Sequence, residues 1–177
     1  LSLRRQRQMC IRDRSKGCFC KENVPVHDIC TIAMQQMSER NDEHRKGLND
    51  LEKIYRKLYE KKQAVNWGLF DPDGRLIAGA LFFFSHERAY YILAANTPES
   101  RQYKSAHCIL DHFIRSHAGT SCTLDFEGSD NYNLAFFYRN FGALPEYYPF
   151  YRRDRLTPIL KLLRQLKNSM YWKSGED

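Results

Sequence analysis

The sequence predicts an α/β domain, a mixed sheet flanked by helices, in the element order ααβββαβαβ with a further helix at the C-terminus. Three observations lead there. Apolar residues recur at helical spacing up to about residue 62 and at strand spacing from residue 64. Two turn signals, Asp71-Pro72-Asp73-Gly74 and Ser85-His86-Glu87-Arg88, then divide an apolar stretch into three strands that pair antiparallel in sequence. Beyond Asn96 helix and strand alternate, which is the pattern of layered α/β domains whose helix-separated strands lie parallel. A chain of 177 residues suffices for one domain with a full core.

Residues 26–46 place Ile29, Ile32, Ala33 and Met37 on one helical face. A second amphipathic helix over 49–62 sets Leu48, Leu51, Ile54, Tyr55 and Leu58 against Lys and Glu, and Gly47 and Asn49 mark the break between the two. Strands follow at 64–70, 75–84 and 89–95. After Asn96-Thr97-Pro98 comes a polar loop and a helix over 103–116, with Ala106, Ile109, Leu110, Phe113 and Ile114 as its apolar face. A strand at 122–127 carries Asp125 and Glu127. A helix over 132–141 closes on Gly142, and an aromatic strand at 146–152 completes a domain spanning 15–155. The tail, 156–177, holds an amphipathic helix with Leu156, Ile159, Leu160, Leu163 and Leu166 opposite Lys and Arg. Packing on the domain is the simpler reading, and a membrane-surface or partner helix the other.

An apolar fraction of 42%, with 14% aromatic residues, excludes a disordered chain. The longest apolar cluster, 78–84, is far below the length of a membrane-spanning helix. Residues 1–14, LSLRRQRQMCIRDR, resemble the translation of a transposon-end adapter used in sequencing libraries. They are set aside as non-native, and the domain is expected to lack its natural upstream part. That segment holds five arginines against Asp13, so it supplies +4 of the formal charge of +7 and leaves +3. The basic pI therefore makes little case for nucleic acid. Without Cys10 the cysteine count is odd, and no secretory signal opens the chain, which favours a reducing, cytoplasmic compartment. Cys18, Cys20, His27 and Cys30 cluster, but Cys-x-Cys is not the zinc-knuckle spacing, so unpaired thiols are the better reading. His107, His112 and His117 are five apart, which is not the i, i+4 spacing of a metal pair, so solvated or core histidines are the better reading and no metal is expected.

The chemistry-bearing residues lie in 122–152. Asn131, Leu134, Tyr138, Gly142 and Ala143 stand at the spacings of Asn-x-x-Ala-x-x-x-Tyr-x-x-x-Gly-Phe, three of the five matching. With the phrases LDFEGS at 124–129 and FYRNFGA at 137–143, and with the element order, residues 25–155 resemble the GNAT acyltransferases. The resemblance is strongest to a bacterial branch near the Fem-type peptidyltransferases. It implies a GNAT-like sheet whose first strand lies upstream, and a cleft between the strands at 89–95 and 122–127 in which acyl-CoA lies. The donor pyrophosphate would rest on backbone N–H groups at the start of the next helix, where unpaired donors and the helix dipole favour an anion. The family's loop, [QR]-x-x-G-x-[GA], corresponds to Arg101, Gln102, Tyr103, Lys104, Ser105 and Ala106, with Lys104 replacing glycine.

The resemblance further implies donor binding by Arg101, Gln102, Lys104, Ser105, Ala106 and Asn131, and a backbone N–H at Ala94 or Ala95 polarising the donor carbonyl. Tyr138 would protonate the leaving thiolate. Glu127, at a strand's C-terminal end where ligands collect, is the candidate base, with Asp125 beside it. Plainer roles remain open: Glu127, Ser129 or Asp130 capping a helix, and Tyr138 as core among Phe136, Phe137 and Phe141. The expected function is transfer of an acyl group, acetyl first, from acetyl-CoA or another acyl-CoA to a small-molecule or peptide amine. The alternatives are a Fem-like aminoacyl transferase using charged tRNA, for which alone a nucleic-acid partner is expected, and a GNAT-fold binding module without catalysis.

Overall fold

The computed structural model describes residues 17–37, 42–128, 131–147, 149 and 151. The chain divides into two compact units, Leu1–Leu144 and Pro145–Asp177. Every regular element among the described residues lies in the first. In chain order these are β1 (Phe19–Glu22), α1 (Val26–Gln36), α2 (Asp42–Glu60), β2 (Ala64–Phe70), β3 (Leu76–Ser85) and β4 (Arg88–Asn96). A 3-10 turn (Pro98–Tyr103), α3 (Ser105–Ser116), β5 (Thr123–Asp125) and α4 (Tyr132–Arg139) follow. One sheet of order β1-β2-β3-β4-β5 joins the five strands, antiparallel from β1 to β4. β5 joins β4 in parallel, as the intervening helix requires.

Each face of the sheet carries its own core. Val26, Ile29, Ile32 and Ala33 of α1, with Leu48 and Tyr55 of α2, pack with Leu81 and Ala95 on one face. Ile109, Leu110 and Phe113 of α3 pack with Leu69, Ala80, Phe82 and Tyr91 on the other, where the Phe113 and Phe82 rings stack at 3.8 Å. α1 sits unusually close to the sheet. Gly68 and Gly79 are register partners, and a Cβ on Gly79 would come within 2.6 Å of Ile29. A buried Asn66 ties β2 to its surroundings: its side chain accepts the Val24 N–H at 2.8 Å and donates to Val24 O and Tyr55 Oη at 2.9 and 2.8 Å.

The two hairpins use different turn chemistry. In the β2–β3 turn the buried Asp71 accepts backbone N–H groups of Asp73 and Arg75 and the Arg75 guanidinium, at 3.1, 2.8 and 2.9 Å. The β3–β4 loop is His86-Glu87, both at positive φ (49° and 59°), the conformation of a two-residue primed turn.

Several expectations are corrected. The first strand is expected upstream; instead β1 lies within the chain and pairs with β2, with Phe19 stacked on Phe70 at 5.1 Å. The observed order is therefore βααβββαβα. The first helix ends at Gln36, with Met37 already extended (ψ 133°), and Gly47, expected to mark the break, lies inside α2. Ile54 and Ile114 are exposed rather than core. The expected strand at 146–152 has no strand among its described residues, 146, 147, 149 and 151. Pro145 and Pro149 remove ladder donors there, and Tyr147 and Tyr151 are exposed. The cysteine cluster is split by the sheet: Cys18 and Cys20 pack with the α3-side core and Cys30 with the other. Residues 1–14 and the tail from 156 lie outside the described residues.

Candidate functional site

The site begins where β4 and β5 part. Their parallel pairing covers only Arg88–Tyr90 against Thr123–Asp125, yet β4 runs on to Asn96. Two local features force the parting. At Asp125 the chain turns: its Oδ1 accepts the Glu127 N–H at 2.8 Å, and Glu127 and Gly128 both take positive φ, 63° and 72°. On β4, Tyr91 opposes Phe82 and Leu93 opposes Leu81, so Ile92 is an inserted bulge residue. The bulge reverses the alternation: Ala89 and Tyr91 face the α3-side core, whereas Leu93 and Ala95 face α1.

Beyond the bulge, hydrogen bonding reveals which backbone groups face the opening. Thr97 N–H donates to Ile77 O at 2.9 Å, so by antiparallel alternation Ala95 also turns toward β3. The N–H groups of Ala94 and Asn96 then turn away from β3. Of the two candidate alanines, Ala94 is the one whose backbone faces the parted strands; Ala95 is fully buried.

Aromatic residues line the parting. The Phe126 ring stacks on Tyr138 at 4.3 Å and meets Tyr91 edge-on at 6.1 Å. Burial raises the Tyr91 phenol far above its usual value, and the neighbouring Tyr138 adds to the shift; burial also raises Tyr138. Both phenols are neutral donors at physiological pH. α4 is held against α3 by the edge of the Phe137 ring on His107 at 4.7 Å. Its start is capped by Asn131, whose Oδ1 accepts the N–H groups of Asn133 and Leu134 at 2.9 and 3.2 Å, and Gly142 closes it at φ 83°.

The expected site residues separate into groups. Tyr138 and Ala94 flank the parted strands. Asp125 is engaged twice, by the Glu127 N–H and by Arg88 Nη1 at 3.3 Å. Glu127 is exposed but stands past the strand end, so Asp125 and Glu127 do not share a strand face. Asn131 acts through its oxygen as a helix cap. Arg101 and Gln102 are exposed on the 3-10 turn. Lys104 takes the left-handed conformation (φ 47°) directly before α3, a geometry that glycine adopts without strain. Ser105 begins α3, but its hydroxyl is buried and donates to Asn96 Oδ1 at 2.6 Å. The first N–H groups of α3, at Ser105 and Ala106, are those for which a helix supplies no carbonyl of its own. Tyr91 and Phe126 are absent from the sequence expectation. The signal for Tyr91 is the broken alternation in RAYYILAAN, which the bulge causes.

No family model matches the chain. By sequence it is 30% identical over 88 residues to a lipid II:glycine glycyltransferase of Staphylococcus epidermidis, covering 48% of this chain and 21% of that protein. To the enzyme of that name from Staphylococcus haemolyticus it is 29% identical over 133 residues, covering 68% of this chain and 31% of that one. The chain thus spans less than a third of the length of these relatives. By structure it is similar to a GCN5-related N-acetyltransferase from Ralstonia eutropha, with TM-score 0.60 and 13% identity over 77% of this chain and 99% of that one. FemX aligns with TM-score 0.58 and 15% identity, over 78% of this chain and 53% of that one. A protein from Clostridium acetobutylicum described as a predicted acetyltransferase, solved with acetyl-CoA, aligns with TM-score 0.54 and 14% identity over 76% of this chain and 96% of that one. The mixed sheet with its flanking helices is therefore that of the GCN5-related N-acetyltransferase fold, and this chain has that fold.

Proposed function

We propose that the protein is an acyltransferase that moves an acyl group from a CoA thioester to an amine acceptor by direct attack. The observation that carries this reading is the parting of β4 and β5 after Tyr90, with outward-facing β4 backbone on one side and the neutral Tyr138 phenol on the other. The strand edge offers an extended thioester arm hydrogen-bond partners, and the Ala94 N–H would stabilise the oxyanion that forms when the amine attacks. Tyr138 would protonate the departing thiolate, a task for which a neutral phenol is suited. Glu127, exposed beyond the strand end, would take the proton from the ammonium, directly or through water; Asp125, held by Arg88, would fix the turn that presents it. The N-terminus of α3, with Arg101 and Lys104 beside it, would receive the pyrophosphate.

A second reading, an aminoacyl transferase that takes its acyl group from charged tRNA, is favoured by one observation: the similar curated sequences are lipid II:glycine glycyltransferases. The Ala94 N–H would stabilise the same kind of oxyanion, since both donors are activated carbonyls, but Tyr138 would then protonate the departing ribose oxygen of the tRNA rather than a thiolate.

Calorimetric titration of the protein with acetyl-CoA and CoA tests the first reading. Saturable micromolar binding is expected, weakened several-fold by Arg101→Ala or Lys104→Ala. Absence of binding by folded protein, with transfer from aminoacyl-tRNA instead, would move the assignment to the second reading. With either donor, Tyr138→Phe is expected to lower turnover about 10²-fold or more, with little change in donor affinity. Equal loss of both would make Tyr138 a packing residue.

A further inference from the structure

The outward edge of β4 is already occupied at one point. Asn96 N–H, turned away from β3, donates to Oε1 of Gln36 at 2.9 Å. Gln36 is the last residue of α1, and its side chain is exposed, so this reach across to β4 is not imposed by packing. The same asparagine is anchored from the other direction, where its Oδ1 accepts from Ser105 Oγ at the first residue of α3. Ser105 Oγ in turn lies 3.2 Å from the buried Ser100 hydroxyl. Asn96 is therefore a fixed backbone donor at the end of the strand edge, between the bulge at Ile92 and the start of α3. What it holds is a carboxamide oxygen. An extended donor arm containing amide groups and running along that edge would offer the same kind of acceptor to the same N–H.

We propose that Gln36 is a specificity-determining residue of the donor cleft: its carboxamide occupies the Asn96 N–H, and a donor whose arm carries amide groups binds only by displacing it. The inference rests on the reading of the donor as an acyl-CoA. Displacement exchanges one neutral hydrogen bond for another, so Gln36 lowers affinity by about the net worth of one such bond. A donor that does not use this edge is indifferent to Gln36. The side chain thus selects among donors by what their arms require of β4.

The test compares the wild-type chain with Gln36→Met, which keeps the length of the side chain and removes its acceptor. Removal of the competing acceptor is expected to tighten CoA binding about three- to tenfold by calorimetry. In the absence of ligand, exchange of the Asn96 amide hydrogen is expected to be faster in the variant, and saturating CoA should slow it in both proteins. Equal or weaker CoA binding by Gln36→Met, with the wild type binding normally, overturns the inference and leaves the acyl-CoA reading standing. Failure of both folded proteins to bind CoA removes the acyl-CoA reading, and the inference with it.

Discussion

A methyl group at Gly79 would meet Ile29 at three atoms, 2.6, 2.9 and 3.0 Å away, and Ile29 is fully buried with no direction in which to yield. Gly79→Ala is therefore expected to destabilise the protein by about 1–3 kcal/mol. Ile29→Val in the Gly79→Ala background should recover part of the loss, because it removes a methyl from the collision. Urea denaturation of the two single variants and the double variant measures the coupling; simple additivity would mean that α1 does not seat on this glycine. Lys104 shows the opposite case, a side chain where the backbone asks for none. A left-handed lysine carries a local penalty of about 1–2 kcal/mol. Lys104→Gly is expected to raise stability by about 1 kcal/mol, whereas Lys104→Ala, which keeps the Cβ, should not. An unchanged unfolding midpoint for Lys104→Gly would show that the backbone bears no strain there.

Elements carry the same logic over several residues. The β3–β4 loop takes a primed turn with His86 and Glu87, where Asn-Gly is the best-suited pair. Replacing both with Asn-Gly keeps the Glu87 carbonyl that accepts Thr123 N–H at 2.9 Å, and is expected to stabilise by about 1–2 kcal/mol, read as a higher unfolding midpoint. Strands β2 to β4 are legible in the sequence as apolar runs divided by two turn signals, because the sheet is buried on both faces. Helix α3 is legible because one of its faces is apolar at the right period. β1 is not, since an edge strand with mostly exposed residues has no such pattern and is specified by its partner, as the stacking of Phe19 on Phe70 indicates. The break between α1 and α2 misleads in the same way. Gly47 is a poor helix former, but burial of Leu48 and Tyr55 carries the helix through it. In the candidate site Tyr138 is legible from its spacing to Asn131 and Gly142. Tyr91 is hidden, because a bulge cannot be located from one strand's residues without the register of its neighbour.

At the scale of the whole molecule, titratable groups in the β2–β3 turn and on α1 and α2 set the pH range over which it holds together. The Arg75 N–H and guanidinium hold the Asp71 carboxyl below the usual carboxylate range, and a hydrogen bond from Arg56 does the same for Glu52 of α2. Groups depressed in the folded state contribute stability that is present above their unfolded values, near 4, and is lost as pH falls through the folded ones. Burial acts in the other direction on the α1–α2 core. It pushes the Cys30 thiol up to about 11, with Glu52 adding to the shift, and the Tyr55 phenol up to about 12. Their stabilising effect is complete below the unfolded values, near 9 and 10, and is lost as pH rises through the folded ones, because the unfolded chain releases these protons first. Stability should therefore be flat near neutrality, fall below about pH 4, and fall again from about pH 9 to about pH 12. Cys30→Ala should flatten the lower part of the alkaline decline and Tyr55→Phe the upper part. Tyr55→Phe also removes the Tyr55 Oη that accepts from Asn66 Nδ2, so its neutral-pH stability should drop as its alkaline slope softens. Urea midpoints measured from pH 3 to pH 12 decide the matter: an alkaline slope unchanged by both substitutions would place its origin outside the core between α1, α2 and the sheet.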